Sequence, residues 1–115
     1  MSEWHVHGIG SCDTCRKARR WLEESGRAHV WHDLREEGIE AETLARWVEA
    51  VGPATLVNRR STTWRGLDED QRAQALDAAA TARVLAEHPT LIKRPVFERD
   101  GRILVGFNAA VKEAL

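Results

Sequence analysis

The stretch Trp4-His5-Val6-His7-Gly8-Ile9-Gly10-Ser11-Cys12-Asp13-Thr14-Cys15-Arg16-Lys17-Ala18-Arg19-Arg20-Trp21-Leu22 decides the fold. Trp4 to Ile9 reads as a strand, with His5 and His7 on one face and Val6 and Ile9 broadly on the other. Gly8, Gly10 and Ser11 break it. A helix is predicted from Asp13, because Cys15, Ala18, Trp21 and Leu22 follow helical spacing while Arg16, Lys17, Arg19, Arg20, Glu23 and Glu24 cover the outer face. Gly26 ends that helix as its C′ residue. Ala28-His29-Val30-Trp31-His32 alternates as a second strand. Strand, helix and strand in about thirty residues make a βαβ unit, whose handedness rule sets the two strands parallel and adjacent.

The rest of the chain extends this unit. Leu44, Trp47, Val48 and Val51 form an apolar helical stripe stopped by Gly52-Pro53. Asp68 with Gln71 reads as a capping box. Ala73, Leu76, Ala80, Val84 and Leu85 continue an apolar stripe to Pro89, with a break near Thr81. Between these helices Asn58 to Leu67 is a polar loop carrying Arg59, Arg60 and Arg65, and loops are where sites tend to lie. Val96-Phe97-Glu98-Arg99 and Arg102-Ile103-Leu104-Val105 flank Asp100-Gly101, a two-residue hairpin signal. Asn108 N-caps a last helix with Val111 and Leu115 on its apolar face. The order βαβ, helical insertion, ββα is that of an α/β, thioredoxin-like fold with a four-stranded mixed sheet. One domain, 1–115, is expected, with the insertion at about 40–88.

Composition narrows the function classes. With 43% hydrophobic and 30% charged residues in 115, the chain is neither a disordered tail nor a membrane span. Lys plus Arg (17) nearly cancels Asp plus Glu (18), leaving a net charge of -1. That balance argues against nucleic acid as a partner, which calls for a basic excess. Met1-Ser2-Glu3-Trp4-His5 has neither a basic n-region nor an apolar h-region, so a cytoplasmic monomer with no membrane partner is expected.

The only two cysteines form Cys12-Asp13-Thr14-Cys15, and in a reducing compartment this spacing points to catalysis or metal rather than to a structural staple. The thiolate is the nucleophile, and an ordinary pKa of about 8.5 leaves only roughly 3% of it at pH 7. Lowering the pKa to about 6.5 requires roughly 2.7 kcal/mol, whereas a helix N-terminus supplies about 0.3–1 and at most about 2 kcal/mol. A fixed cation must therefore assist Cys12. Asp13 opposes it, and Arg16 and Lys17 are solvated, so Arg60 and Arg94 are the candidates. Cys15, one turn on, faces the core with Ala18 and Leu22. It suits a resolving role, and its simplest alternative is a small core residue. Zinc would need two further ligands, for which His5 and His7 are the only nearby candidates, so no metal site is expected. Gly8-x-Gly10 lacks a phosphate-loop fingerprint and gives backbone access beside Cys12. Trp21, Trp31 and Trp47 read as core, and His29, His32 and His88 show no partner pattern.

Gly8 to Leu22 resembles the N-terminal active-site segment of the arsenate reductase (ArsC/Spx) family. His32-Asp33-Leu34-Arg35, Leu56 to Arg65, Ile92-Lys93-Arg94-Pro95-Val96 and Leu104-Val105-Gly106-Phe107 are similar to its YffB-like branch. The resemblance implies a thioredoxin-like fold, a cis Pro95 and a nucleophile at Cys12. It implies a thiol-dependent reductase (an oxidoreductase) with glutathione as co-substrate or glutaredoxin as partner, no bound cofactor, and a small oxyanion or disulfide as substrate. Catalytic residues are then Cys12, Cys15, Arg60 and Arg94, with Gly10, Ser11, Arg94 and Pro95 binding the substrate. Glutaredoxin-coupled arsenate reductases hold their oxyanion with three arginines. Arg94 keeps one such position, while Asn58 and Gly106 stand at the others and Arg60 lies two residues beyond Asn58. Arsenate reductase proper is one alternative. The other is an Spx-like, redox-sensitive regulator that binds RNA polymerase at the C-terminal domain of its α chain.

Overall fold

The structure is a computed structural model, described for residues 3–115; Met1 and Ser2, part of the stretch read for a leader, lie outside the described residues. In chain order the elements are β1 (Trp4–Gly8), α1 (Asp13–Glu24), β2 (His29–Asp33), α2 (Leu34–Glu37), α3 (Ala41–Val51), α4 (Pro53–Leu56), α5 (Thr62–Arg65), α6 (Glu69–Leu76) and α7 (Thr81–Glu87). A 3₁₀ turn (Pro89–Leu91), β3 (Val96–Arg99), β4 (Arg102–Val105) and α8 (Ala109–Ala114) complete the chain. The chain divides into two compact units: one up to Glu37 together with Arg94–Leu115, the other Gly38–Lys93.

The first unit is the thioredoxin-like one. Its sheet has the order β2-β1-β3-β4. β1 runs parallel to β2, with Val6 opposite Trp31 and Gly8 opposite Asp33, and antiparallel to β3, with Val6 opposite Phe97. β3 and β4 form the expected hairpin. Asp100 and Gly101 both take positive φ (51° and 81°), the geometry that fits the twist of a two-residue hairpin. Trp4, Val6, Ala18, Leu22, Phe97, Val111 and Leu115 form the core between sheet and helices. Gly26 (φ 65°) follows α1, and Asn108 caps α8 by accepting the Val111 N–H at 2.9 Å. Trp21 and Trp31 differ from expectation: both are half-buried at the edge of the core. Arg27 lies over the Trp21 ring at 5.0 Å and Arg19 over Trp31 at 4.4 Å, so cations cover the faces that the core leaves open.

The second unit is helical. α3 packs on α7, and α6 on α7, burying Leu44, Trp47, Leu85 and Leu91 completely. The capping box at Asp68 is present, with Asp68 accepting the Gln71 N–H at 2.8 Å and Gln71 the Asp68 N–H at 2.9 Å. The chain breaks where expected: the Thr81 hydroxyl donates to Ala75 O (2.7 Å) and Asp77 O (2.8 Å). Two expectations fail here. Ala73 and Leu76 are exposed and Ala75 is buried instead, because the turn at 77–80 resets the helical phase. The polar loop 58–67 is not wholly irregular, since Ser61 accepts the Trp64 N–H at 3.1 Å and starts the single turn α5.

Candidate active site

Cys12 stands at the N-cap of α1 with extended backbone (φ -77°, ψ 124°). Its N–H closes a turn onto Ile9 O at 3.0 Å, so Gly10 and Ser11 occupy the corners. Cys12 is half-buried and Cys15 fully buried. The first unit thus leads from β1 through one tight turn into a helix whose first free amides face the sulfur, the arrangement that favours an anion there.

The two thiols are driven apart. Burial raises the Cys12 pKa, but hydrogen bonds from the Cys15 backbone and thiol, with a hydrogen bond and the charge of Arg94, outweigh it, and the net shift is downward. Burial pushes Cys15 up to about 12; the neighbouring Cys12 adds to this, while a hydrogen bond with the Ile9 backbone and the Arg94 charge pull the other way. The split assigns the readily ionised sulfur to Cys12 and the protonated one to Cys15. Asp13, whose charge opposes a thiolate, is paired with Arg16 at 2.5 Å.

Of the residues picked from the sequence, Cys12, Cys15 and Arg94 come together in the first unit. The Arg94-Pro95 peptide is cis. The Pro95 carbonyl is engaged by the Gly106 N–H at 2.8 Å. Gly106 is buried with φ 85°, a backbone state that glycine takes freely and a side chain strains. Gly10 and Ser11 line a cleft of about 380 Å³ with Ile9, Asp33, Arg35 and Glu36.

Arg60 belongs to the second unit. There Val57 bridges Ile92, Asn58 N–H donates to Leu91 O (2.8 Å) and Lys93 N–H to Leu56 O (2.7 Å). Asn58 Oδ1 accepts the Arg60 N–H at 3.1 Å and its carbonyl accepts the Ser61 hydroxyl at 2.8 Å. The resulting turn lines a cavity of about 340 Å³ with Ala54, Val57, Asn58, Arg59, Arg60 and Lys93. Its three cations are exposed, and none is ion-paired with another described residue.

Two features escaped the sequence reading. His5, His7 and His32 stack: His32 lies 5.1 Å from His5 and 4.7 Å from His7 between ring centroids. His5 Nδ1 and His32 Nε2 are 2.8 Å apart, and His32 Nδ1 meets Glu37 Oε1 at 3.1 Å. His32 therefore has partners, supplied by the parallel register that sets it beside His7. The second is Asp33, whose Oδ2 accepts the Gly10 N–H at 2.9 Å. Among the described residues no group of three or more His, Cys, Asp or Glu side chains forms a metal site, and no helix is long and apolar enough to cross a membrane.

A thioredoxin-like sheet that presents a Cys-x-x-Cys pair at its first strand-to-helix turn defines a class of cysteine-bearing α/β proteins. Within that class the chain belongs to the ArsC family, whose model matches residues 7–115. It is similar to the solved structure of a YffB (PA3664) protein, with 44% identity, 96% of each chain covered and a TM-score of 0.89. It is likewise similar to the solution structure of an arsenate reductase (ArsC) related protein from Brucella melitensis, with 44% identity, 98% of this chain and 93% of that one covered, and a TM-score of 0.79. The global transcriptional regulator Spx of Bacillus subtilis is 29% identical over 100 residues, 85% of this chain and 75% of that protein.

Proposed function

We propose that the protein is a thiol-dependent reductase in which Cys12 is the nucleophile and Arg94 stabilises its thiolate. The observation that carries this reading is Cys12 half-buried at the N-cap of α1 with Arg94 beside it and Cys15 fully buried one turn on, an arrangement that lowers the Cys12 pKa and pushes Cys15 up to about 12. The Cys12 thiolate attacks one sulfur of a disulfide, forming a mixed disulfide as the other sulfur leaves as a thiolate. Either glutathione or Cys15 then attacks that mixed disulfide. Glutathione releases Cys12 and takes over the bound sulfur. Cys15, after losing its proton, forms Cys12–Cys15 and expels the second thiolate, so two protein thiols supply the two electrons. Two glutathiones, leaving as their disulfide, or a reduced glutaredoxin, then restore the Cys12–Cys15 pair to thiols.

Gly10 and Ser11, in the turn that leads into Cys12, and Pro95, next to Arg94, accommodate the substrate in this reading. Arg60, with Arg59 and Lys93 around the same cavity, serves as an anion-holding group. Small oxyanions, arsenate included, form the alternative substrate class. Here Asn58 and Gly106 remove two of the charge-assisted donors that such an anion uses, so disulfides are the better fit.

The test is incubation of reduced protein with oxidised glutathione, followed by mass spectrometry and a disulfide-reduction assay. A glutathione adduct on Cys12, and turnover that Cys12→Ser abolishes, are expected. An unmodified Cys12 in a folded, reduced chain contradicts the reading. A regulatory role is favoured by one observation, the match to Spx over 85% of this chain. It predicts no turnover but redox-dependent retention of the RNA polymerase α chain.

A further inference from the structure

We propose that Asp33 is a positioning residue for Cys12: its carboxylate holds the Gly10 amide and thereby the turn that sets the sulfur among its donors. The inference rests on the reading of Cys12 as nucleophile. Asp33 is the last residue of β2 and lies opposite Gly8 of β1. Each of its oxygens has a separate task. Oδ1 accepts the Arg35 and Glu36 N–H groups at 2.9 and 3.2 Å, capping α2. Oδ2 reaches across to the Gly10 N–H at 2.9 Å. The Asp33 N–H in turn donates to Glu37 Oε2 at 2.9 Å, which anchors the aspartate from behind.

Capping of α2 explains Oδ1 and leaves Oδ2 unaccounted for. The Gly10–Ser11 turn is otherwise held by the Cys12-to-Ile9 hydrogen bond and by a long, exposed contact from Arg16 Nη2 to Ser11 O at 3.4 Å, neither of which engages Gly10 itself. A glycine at its corner gives the chain freedom that something else must remove. The approach is also close: a Cβ on Gly10 would lie 3.3 Å from Asp33 Oδ2. Electrostatics cannot be the reason for an aspartate here, because a carboxylate near the turn disfavours a thiolate. Its contribution is therefore geometric. The hydrogen bond from Gly10 is the largest influence; burial opposes it, and the hydrogen bonds from Glu36 and Arg35 add to it, so the carboxyl is held below the usual range and the tether stays ionised wherever Cys12 carries a thiolate.

Asp33→Asn separates the two tasks. Asparagine caps a helix as well as aspartate does. It has one acceptor oxygen, however, so if that oxygen keeps the α2 amides its NH₂ faces the Gly10 N–H, donor against donor. The measurement is the pH midpoint of Cys12 alkylation in the full chain, with fragmentation mass spectrometry separating Cys12 from Cys15. The midpoint is read rather than the rate, because nucleophilicity falls with pKa and offsets part of any rate change.

Loss of the carboxylate charge alone would lower the Cys12 midpoint, so a rise reports loss of the tether: the wild type is expected to titrate below the ordinary thiol value and Asp33→Asn about half a unit higher, about threefold less thiolate on the acid side, with little change in urea midpoint. A depressed wild-type midpoint that Asp33→Asn leaves in place overturns the positioning role and spares the nucleophile. An ordinary wild-type midpoint overturns both. Should the variant not fold, the wild type decides through its Gly10 amide proton shift, which must follow the Asp33 titration at low pH; an indifferent Gly10 amide overturns the proposal.

Discussion

Around Cys12 the sheet unit fixes its turn from several sides. Gly10 is tethered by Asp33, Asp13 is paired with Arg16, and the Pro95 carbonyl is bound by Gly106. In the helical unit the reverse holds: Arg59, Arg60 and Lys93 are exposed around an open cavity, and none is ion-paired with another described residue. The contrast fits the roles proposed for the two regions. A thiolate is stabilised only by donors already in place, so the turn that carries it is fixed from several sides. Capturing an anion tolerates mobile, solvated cations, because long-range attraction needs no fixed geometry.

The fixed region should be the more sensitive one, and acid is the strongest way to disturb it. Burial, followed by the His32 charge, lowers the His7 pKa from 6.5 to about 4, against a raising effect of Glu98. Between these values the unfolded chain binds a proton that the folded chain refuses. Stability is therefore full above about pH 6.5 and declines as pH falls towards 4, by up to roughly 3 kcal/mol. Urea titrations at several pH values should show this slope, and His7→Asn should flatten it; a wild-type profile that is level across the interval contradicts the stacked, neutral His7.

Gly8→Ala comes next. A Cβ there would stand 2.5 Å from Cys15 Sγ and 2.9 Å from Trp31 Cη2, and overpacking of this kind costs about 1–3 kcal/mol. Thermal unfolding reads the loss, and the variant should also shift the Cys12 alkylation midpoint, since Cys15 supplies two of its donors. A Gly8→Ala protein as stable as wild type would show that the turn yields more readily than the contrast implies. The smallest effect belongs to the helical unit: Asp68→Ala removes the capping box for about 1 kcal/mol and leaves the Cys12 midpoint unmoved. A midpoint that follows Asp68 would erase the distinction between the units.

The same contrast governs what could be read from the chain alone. Local signals were legible: the Asp100-Gly101 hairpin, the Asp68–Gln71 box, Asn108 and Gly26 each act within four residues of themselves. Phase was less so. A break near Thr81 is legible in the stripe from Ala73 to Leu85, but not that the turn at 77–80 shifts the phase to bury Ala75, and the Ser61 cap of α5 is masked by the surrounding arginines. Contacts across the β1–β2 register were not legible at all. His32 beside His7 and Asp33 beside Gly10 depend on a parallel pairing whose offset no single residue announces. Arg94 was reached partly by electrostatic need and partly by family resemblance. Arg60 rests on the same two grounds, and it belongs to the helical unit.

The most direct test of the central claim is the pH dependence of Cys12 alkylation in wild type and Arg94→Ala. The account predicts a wild-type midpoint below the ordinary thiol value of about 8.5, and a rise of about one unit, tenfold in thiolate, when the guanidinium is removed. A wild-type midpoint at or above about 8.5 that Arg94→Ala leaves unchanged would contradict it.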